Sequence, residues 1–417
     1  MISADFFIKH KSNIKYYITY LLSDILNKAL PFLLLPILTR LMSKEGYGAL
    51  TEFTVLYNIS FMVGAFSVQA YFRKLFFEKR NLGKRYLSFI FLSLSILVML
   101  VFFFNGLQYI NPQILVSIDL VTYVAIVFSI LALIVIRITT IFYNCSFEPL
   151  LYLKNNILLT LVNLFLTFLF LYYFDFFQDG RILAILFAPL TFFPFAVASF
   201  IRRVPLDLKI KFEYIKKQLK FGLPLLPHQI MSWLRISYDR IIISTSLGLA
   251  TLGEFSANAQ IAMVYFVVFS ALNQALAPKI LKEYKERKTG YTEFAKKFVA
   301  LFLLVYAILT PALYIMAPTI LGGEFLVDYK IVFVLSIAYL FNGFYFIYTH
   351  YLIQNDFGGA LSKISATSAL LHLGVIYLLI PKIGIDAVLI ASVLSYFLAF
   401  VLVFLKVNRE VGRENVA

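Results

Sequence analysis

"FGLPLLPHQIMSWLRISYDRIIISTSL", residues Phe221 to Leu247, is as long and nearly as apolar as a helix that crosses a membrane. Such a helix needs about 20 mostly apolar residues to cross roughly 30 Å of hydrocarbon. This stretch nevertheless contains Arg235, Asp239 and Arg240. Because charged side chains are costly in lipid, these three need a polar surface or a wet cavity to face.

The rest of the chain repeats this pattern of long apolar runs. The 417 residues are 61% hydrophobic and 14% charged, whereas soluble domains average about 45–50% and about 25%. The runs do not alternate as barrel strands do, so helices are predicted. We predict an all-α integral membrane protein with twelve transmembrane helices, at residues 16–40, 50–72, 86–105, 115–141, 155–174, 182–201, 221–247, 254–277, 298–318, 331–352, 364–380 and 387–405.

The lysines and arginines predict the orientation of the spans. With the N-terminus inside, 28 of the 37 Lys and Arg residues fall in inner segments, five in outer loops and four within spans. Inner loops carry the excess of Lys and Arg in membrane proteins, so both termini are predicted to be cytoplasmic. The net charge of +15 is therefore a property of the loops, and no nucleic-acid partner is expected. The basic segment 202–220 suits a helix that lies on anionic membrane lipid.

Six spans lie on each side of segment 202–220, and the halves show a weak internal repeat. At an offset of 205 residues the identities are Gly48 with Gly253, Gln69 with Gln274, Ala70 with Ala275 and Lys74 with Lys279. We predict an N-terminal lobe at residues 1–207 and a C-terminal lobe at residues 208–417. An even number of helices per half predicts that a pseudo-two-fold axis along the membrane normal relates the lobes, as in transporters.

Six ionisable residues within the predicted spans are candidates for a functional role: Asp24, Lys28, Arg137, Arg235, Asp239 and Arg240. Each would cost about 2.5–3.5 kcal/mol if it faced lipid. One interpretation is that acid and base merely neutralise each other within a helix. The alternative is a shared cavity whose four cations (Lys28, Arg137, Arg235 and Arg240) outnumber Asp24 and Asp239. A cationic surplus of +2 would attract an anion, and the planar fork of arginine suits phosphate. Asp24 and Asp239 would then serve in charge pairing or ion coupling.

Four other polar side chains within spans are candidates for contact with a sugar or another polar cargo. Trp233 lies mid-span, where it could stack on a sugar, and His228 lies on the same helical stripe as Arg235. Gln69 and Gln274 occupy equivalent positions of the repeat. The alternative for each is helix packing or hydrogen bonding between helices.

Sequence signatures of enzymes are absent. There is no Walker loop, dinucleotide loop, Ser-His-Asp order or cluster of metal ligands, and Cys145 is the only cysteine. The predicted outer loops are too short for the catalytic domain of a glycan polymerase. We therefore predict no catalytic residue, no cofactor and no metal.

Four segments resemble one known family. They are LLLPILTRLMSKEGYGAL (Leu33 to Leu50), FGLPLLPHQIMSWLRISYDRIII (Phe221 to Ile243), LGEFSANAQIAM (Leu252 to Met263) and GGEFLVDYK (Gly322 to Lys330). Together they cover about 15% of the chain. They are similar to the polysaccharide-transporter family of the multidrug/oligosaccharidyl-lipid/polysaccharide exporter (MOP) superfamily, and most of all to its Wzx-type O-antigen or capsule repeat-unit flippases.

The resemblance implies a bacterial inner-membrane flippase with the MATE-like fold of this superfamily. Its cargo would be an undecaprenyl-pyrophosphate-linked oligosaccharide, moved from the cytoplasmic to the periplasmic leaflet by alternating access through a cationic cavity. Arg40, Arg235, Asp239 and Arg240 lie in matching motifs. Expected partners are a coupling proton or sodium ion, membrane lipid, a polysaccharide polymerase and a chain-length regulator.

Two rival functions stay open at this point. A multidrug or cation antiporter on the same fold would need an acidic cavity, contrary to the cationic surplus. An integral-membrane glycan polymerase would depend on residues of the outer loops.

Overall fold

The computed structural model describes residues 30–78, 80–110, 120–174, 179–207, 209–286, 291–355 and 357–414. Within these ranges the chain is almost entirely helical and contains no β-strand. The predicted all-α fold is therefore confirmed.

The helices follow each other with short connections. They are α1 (Leu30–Leu41), α2 (Lys44–Ala65), α3 (Val68–Phe77), α4 (Gly83–Ile110), α5 (Leu120–Cys145), α6 (Pro149–Phe168), α7 (Gly180–Ile201), α8 (Phe212–Gly222), α9 (Leu226–Leu247), α10 (Leu249–Glu286), α11 (Tyr291–Ile320), α12 (Tyr329–Gln354), α13 (Gly358–Ile383) and α14 (Ile385–Glu414). One π-helical turn, Leu169–Tyr173, continues α6.

Each predicted span corresponds to a helix in the same order, with α2 and α3 together forming the second. Ten of the described helical segments are long and apolar enough to cross a membrane. Of the others, α1 is described only from Leu30, and α9 is 22 residues long but carries three charges. Large apolar side chains such as Met99, Phe102 and Ile315 remain 66–75% exposed, as lipid-facing residues do. The chain is a multi-pass membrane protein.

Two boundaries differ from the prediction. The second span is interrupted at Phe66 and Ser67, whose φ angles are +41° and +57°. Neither is Gly or Pro, so the sequence gives no signal of the break; packing of Phe66 against Leu92 and Ile215 offsets the cost of this backbone conformation. In addition, α10 continues to Glu286, beyond the predicted end at residue 277. Apolarity marks where a helix leaves the bilayer and not where the helix ends.

The basic segment between the halves forms the short amphipathic helix α8. Ile215 is buried against neighbouring helices, whereas Phe212 is 76% exposed. Lys216, Lys217 and Lys220 are also exposed. The ammonium of Lys217 hydrogen-bonds the carboxylate of Glu213 and lowers the pKa of that group. An exposed apolar residue among exposed cations is the pattern of a helix that lies in a bilayer interface.

The contacts group the chain into two compact units. One contains Leu56–Leu226, and the other contains Pro31–Val55 together with Pro227–Ala417. The predicted lobes at residues 1–207 and 208–417, and the axis between them, stay predictions. The compact grouping differs from the sequence halves in placing Pro31–Val55 with the C-terminal helices.

Small residues occupy the tight contacts between helices within each unit. The unit made of Pro31–Val55 and Pro227–Ala417 is called the C-terminal unit. In it α12 packs against α10 and α14, and Ala259, Ala338 and Ala391 are at most 1% exposed. In the other unit α7 packs against α5 and α6, where Ala184 and Ala188 are fully buried. Small side chains let helix backbones approach closely, which is the main source of packing energy in lipid.

Candidate functional site

The candidate site is built on α9, whose polar residues lie in the middle of the helix. Pro224 and Pro227 stand at its start, where a missing backbone N–H costs least because the first turn has no intrahelical acceptors. Arg235 lies seven residues after His228, and Asp239 lies eleven residues after it. The three positions therefore fall on one stripe of the helix. The structure describes the helix at His228 but not its side chain.

Asp239 and Arg240 form a compact charged pair. The guanidinium of Arg240 lies 3.0 Å from the Asp239 carboxylate, and the backbone N–H of Arg240 donates to the same oxygen at 2.9 Å. Their side chains are only 9% and 15% exposed. Consecutive residues differ by about 100° around a helix, so the Arg240 side chain folds back to reach its neighbour. The pair balances its own charge.

Arg235 has a different environment. One of its terminal nitrogens lies 3.5 Å from the Ser368 hydroxyl, and the guanidinium lies 5.1 Å from the Tyr396 ring centroid. A second ring, Tyr345, is 6.0 Å away. In the described part of the chain no carboxylate lies within ion-pairing distance, and Nε is buried without a hydrogen-bond partner. Arg235 is thus a half-buried cation that keeps donor capacity for an anion.

All three charged residues line one pocket inside the C-terminal unit. Its cavity volume is about 60 Å³. Tyr339, Ser392 and Tyr396 supply further polar atoms, and Phe255, Ala259, Met263, Phe266 and Leu335 form the apolar wall. Two guanidiniums and one carboxylate give the pocket a formal charge of +1. In a weakly screened environment this excess favours an anionic ligand.

Several residues of this site were missed by sequence reasoning. Tyr339, Ser368 and Tyr396 come from α12, α13 and α14, which lie far from α9 along the chain. No local signal could have found them, because tyrosines and serines are frequent in the spans of this chain.

The other predicted site residues have separate surroundings. Arg137 lies on α5 in the other unit, half-buried, and interacts electrostatically with Tyr57. Asp24 and Lys28 lie outside the described residues. The shared cavity of these cations with Arg235 therefore stays a prediction.

The predicted polar contacts also stay predictions. Trp233 is half-buried, and its indole N–H has no hydrogen-bond partner among the described residues. Gln69 on α3 is half-buried and Gln274 on α10 is exposed. Neither glutamine makes a hydrogen bond within the part of the chain that the structure describes.

Arg40 belongs to a second constellation, a joint between α1, α2, α10, α11 and the 321–328 loop. Its guanidinium donates to the Thr319 carbonyl at 2.9 Å and to the Ile320 carbonyl at 3.3 Å, at the end of α11. It also donates to the Pro36 carbonyl of its own helix at 2.6 Å. At the C-terminus of α11 this cation satisfies carbonyls that lack intrahelical donors. The role of Arg40 here is structural.

The GGEF segment fits against Arg40 and its neighbours. A Cβ at Gly322 would lie 2.8 Å from Arg40 Cγ, and one at Gly323, where φ is +61°, would lie 2.5 Å from the Thr39 carbonyl oxygen. The ring of Phe325 packs edge-on against Tyr47 at 5.6 Å. Segments that are about 280 residues apart in sequence therefore form one continuous contact.

The equivalent glycines of the repeat meet in the same joint. A Cβ at Gly48 would lie 2.0 Å from the Leu249 carbonyl oxygen, and one at Gly253 would lie 1.9 Å from the Lys44 carbonyl oxygen. Leu249 and Lys44 are themselves equivalent at the offset of 205 residues, so the contact is reciprocal. Lys44 Nζ also lies 3.3 Å from a carboxylate oxygen of Glu254. Only glycine allows α2 and α10 to cross this closely.

A comparison with protein-family models gives a match over residues 14–283, about two thirds of the chain, to the family described as "Polysaccharide biosynthesis protein". This chain belongs to the polysaccharide biosynthesis protein family. The matched range contains Arg40, both crossing glycines and the charged residues of α9. The resemblance noted from the sequence is confirmed.

Other proteins are similar to this family member over most of its length. The "Lsg locus putative protein 1" of Haemophilus influenzae (strain Rd) is 26% identical over 406 residues, which cover 91% of this chain and 96% of the relative. A solved structure described as the inward-facing conformation of a MATE family transporter of the MOP superfamily has a TM-score of 0.70 at 13% identity, covering 93% of this chain and 95% of that one. A MOP superfamily transporter from Pyrococcus furiosus has a TM-score of 0.62 at 14% identity, covering 95% and 96%.

These likenesses confirm the MOP fold for this polysaccharide biosynthesis protein. The chain thus combines membership of a polysaccharide biosynthesis family with a fold that solved MATE transporters share. The identity of its cargo needs a separate argument from the pocket.

The joint predicts a stability role for Arg40 in this family member. Arg40→Ala should lower the free energy of unfolding by about 1–2 kcal/mol, because the carbonyls of Thr319 and Ile320 lose a charged donor. The thermal midpoint of the detergent-purified protein should fall by about 2–6 °C. Arg40→Lys should recover part of the loss, since a single ammonium does not reach both helix ends. A variant with an unchanged midpoint but no transport would contradict this role and assign Arg40 to cargo.

Proposed function

We propose that this protein is a flippase that moves undecaprenyl-pyrophosphate-linked oligosaccharide from the cytoplasmic to the periplasmic leaflet of a bacterial inner membrane. The observation that supports this most is Arg235, a half-buried cation with no carboxylate partner among the described residues, in a pocket of formal charge +1. A guanidinium in this state binds two phosphate oxygens at once. Membership of a polysaccharide biosynthesis family supports a cargo that carries a sugar.

The division of labour within the pocket follows from its charges. The Arg240–Asp239 pair holds one cation in place, and Arg235 and the hydroxyls of Tyr339 and Tyr396 remain to contact the head group. The apolar wall from α10 excludes water and so strengthens the attraction to phosphate. Arg137 and Lys28 would extend the cationic path if they share the cavity, as predicted from the sequence.

The charge of the cargo itself supplies a driving force. Each charge that crosses a potential of 100 mV changes the free energy by about 2.3 kcal/mol. A diphosphate diester carries two negative charges, and an interior-negative potential therefore favours its outward movement. The alternative driving force is a gradient of a coupling ion, either a proton or sodium. Asp239 and Asp24 are the candidate binding sites for that ion. A polymerase and a chain-length regulator would act on the product in the outer leaflet.

A cation antiporter is the main rival on this fold. The Pyrococcus furiosus transporter is described as having a binding pocket of reverse polarity, which suggests a different function for that protein, so the fold itself does not fix the sign of the cargo. The positive charge of the pocket described above favours an anion for this chain.

Transport in vesicles of defined composition tests the proposal. Purified protein should move a fluorescent undecaprenyl-diphosphate disaccharide between leaflets at least tenfold faster than protein-free vesicles, measured by quenching of the outer label with dithionite. An interior-negative potential should accelerate efflux. Transport of a lipophilic cation such as tetraphenylphosphonium with no movement of the disaccharide would overturn the proposal in favour of the antiporter.

A further inference from the structure

A second polar pocket lies in the other compact unit, where α5 ends, α6 begins and α7 ends. Its cavity volume is about 250 Å³, and its polar lining comes from Tyr143, Lys154, Asn155, Ser199 and Arg202. None of these residues belongs to the α9 pocket. The charge pattern of the sequence places Lys154 and Arg202 on the inner side of the membrane.

The deepest polar group of this pocket has an unused acceptor. Asn155 is 2% exposed, and its side-chain NH₂ donates to the Thr140 hydroxyl at 2.7 Å. Its carbonyl oxygen Oδ1 is buried and has no hydrogen-bond partner among the described residues. Buried acceptors are nearly always paired, so an unpaired one on a residue that lines a pocket indicates a donor supplied by a ligand or by water.

Two cations line the same pocket without an acidic partner among the described residues. Lys154 and Arg202 are exposed, and no carboxylate lies within ion-pairing distance of either in the described part of the chain. The neighbouring Arg203, in contrast, pairs with Glu148. Two unpaired cations next to a pocket favour a phosphate group.

The rest of the pocket offers hydroxyls inside and apolar groups outside. The hydroxyls of Tyr143 and Ser199 hydrogen-bond each other on its wall. Leu151, Phe195 and Ala198 form its apolar side, with Phe195 46% exposed. An exposed phenylalanine on a membrane-spanning helix suits contact with a lipid chain, so the apolar side of the pocket can accommodate one.

We propose that this pocket binds a lipid phosphate ester whose head group carries a free hydroxyl. The phosphate lies between Lys154 and Arg202, the hydroxyl donates to Asn155 Oδ1, and the lipid chain follows Phe195. An ammonium donor fits less well because both cations repel it. Two membrane lipids share the required chemistry, phosphatidylglycerol and a glycosylated polyprenyl diphosphate.

Binding of matched lipids to the purified full-length protein tests this site by native mass spectrometry. Phosphatidylglycerol and phosphatidylmethanol have the same charge and phosphate, but only the first has a free hydroxyl. We expect about tenfold tighter binding of phosphatidylglycerol, the usual weight of a hydrogen bond to a buried group. Equal affinity of the two lipids would overturn the proposal, and this comparison needs no variant.

Variants separate the contributions of the acceptor and the cations. Asn155→Leu should abolish the preference for phosphatidylglycerol and leave phosphatidylmethanol binding unchanged. The Lys154→Gln, Arg202→Gln double variant should weaken both lipids equally, by roughly tenfold or more. Lys363→Gln, an exposed lysine of α13 in the other unit, is the matched control and should change neither. A preference that persists in Asn155→Leu would count against the assignment of Oδ1.

Competition identifies the source of the phosphate. Displacement of phosphatidylglycerol by an undecaprenyl-diphosphate disaccharide at lower concentration would make the carrier lipid the occupant, whereas failure to displace it would make phospholipid the occupant; both support the site. Displacement by inorganic phosphate at the same concentration would overturn it, because no lipid would be needed. These readouts do not measure transport, so they can fail independently of the proposed flippase function.

Discussion

Replacement of Arg235 by alanine should reduce translocation of the lipid-linked oligosaccharide by roughly 30-fold to 1000-fold. The pair that this substitution removes is the one between Arg235 and the phosphate of the bound cargo. Truncating one partner of a buried, hydrogen-bonded charge pair costs about 2–4 kcal/mol of binding free energy, and each 1.4 kcal/mol is a factor of ten. The variant should insert and fold normally, because Arg235 has no carboxylate partner among the described residues that its loss would leave unpaired. The measurements are surface polysaccharide in cells and leaflet exchange in vesicles, each normalised to the folded protein recovered.

Two further variants separate charge from geometry at this position. Arg235→Lys keeps the charge and loses the planar fork, so transport should recover only in part. Arg240→Ala is the contrasting control, since it leaves the Asp239 side chain, which is 9% exposed, without its cation. Loss of one member of a buried pair costs about 3–5 kcal/mol of stability, so this variant should lose folded protein. Normal surface polysaccharide with Arg235→Ala at normal expression would refute the role assigned to Arg235.

The sequence predicts the α9 charges but not their surroundings. Arg235, Asp239 and Arg240 are conspicuous because a charge within an apolar run has few explanations. The tyrosines that complete the pocket come from helices much later in the chain, and a tyrosine in a span gives no indication of the partner it will meet. Helical periodicity also suggests different directions for Asp239 and Arg240, whereas the long arginine side chain bends back to its neighbour.

The helices of the fold can be predicted from the sequence, but the contacts of the joint between α1, α2, α10 and α11 cannot. Apolar runs identify the spans because only a helix satisfies every backbone group in lipid. The break at Phe66 and Ser67 has no such signal, since it depends on packing of the Phe66 ring. An offset of 205 residues relates Gly48 to Gly253, but equivalence in a repeat does not imply contact. The structure adds that these two positions touch each other.

Placing alanine at either crossing glycine should strongly destabilise the C-terminal unit. The added Cβ of Gly48→Ala would lie 2.0 Å from the Leu249 carbonyl oxygen, and that of Gly253→Ala 1.9 Å from the Lys44 carbonyl oxygen. The atoms in the way are backbone atoms of helices, which cannot rotate aside as side chains do. Overpacking costs about 1–3 kcal/mol where side chains can adjust, so we expect at least the upper value. The thermal midpoint of the purified protein should fall by roughly 6 °C or more.

Two controls isolate the crossing from the general effect of glycine in a helix. Gly374→Ala in α13 and Gly106→Ala in α4 place a Cβ where no atom lies within 4 Å. They should be neutral or stabilising, because alanine favours a helix over glycine by about 1 kcal/mol. Because the two contacts are reciprocal, the effects of the two alanines should depend on each other. Once one alanine has forced α2 and α10 apart, the second should lower the free energy of unfolding only a little further. The double variant Gly48→Ala, Gly253→Ala should therefore be less destabilised than the sum of the singles. If the stability losses of the two single variants add up in the double variant, the two clashes are independent. That result would contradict the reciprocal contact between Gly48 and Gly253.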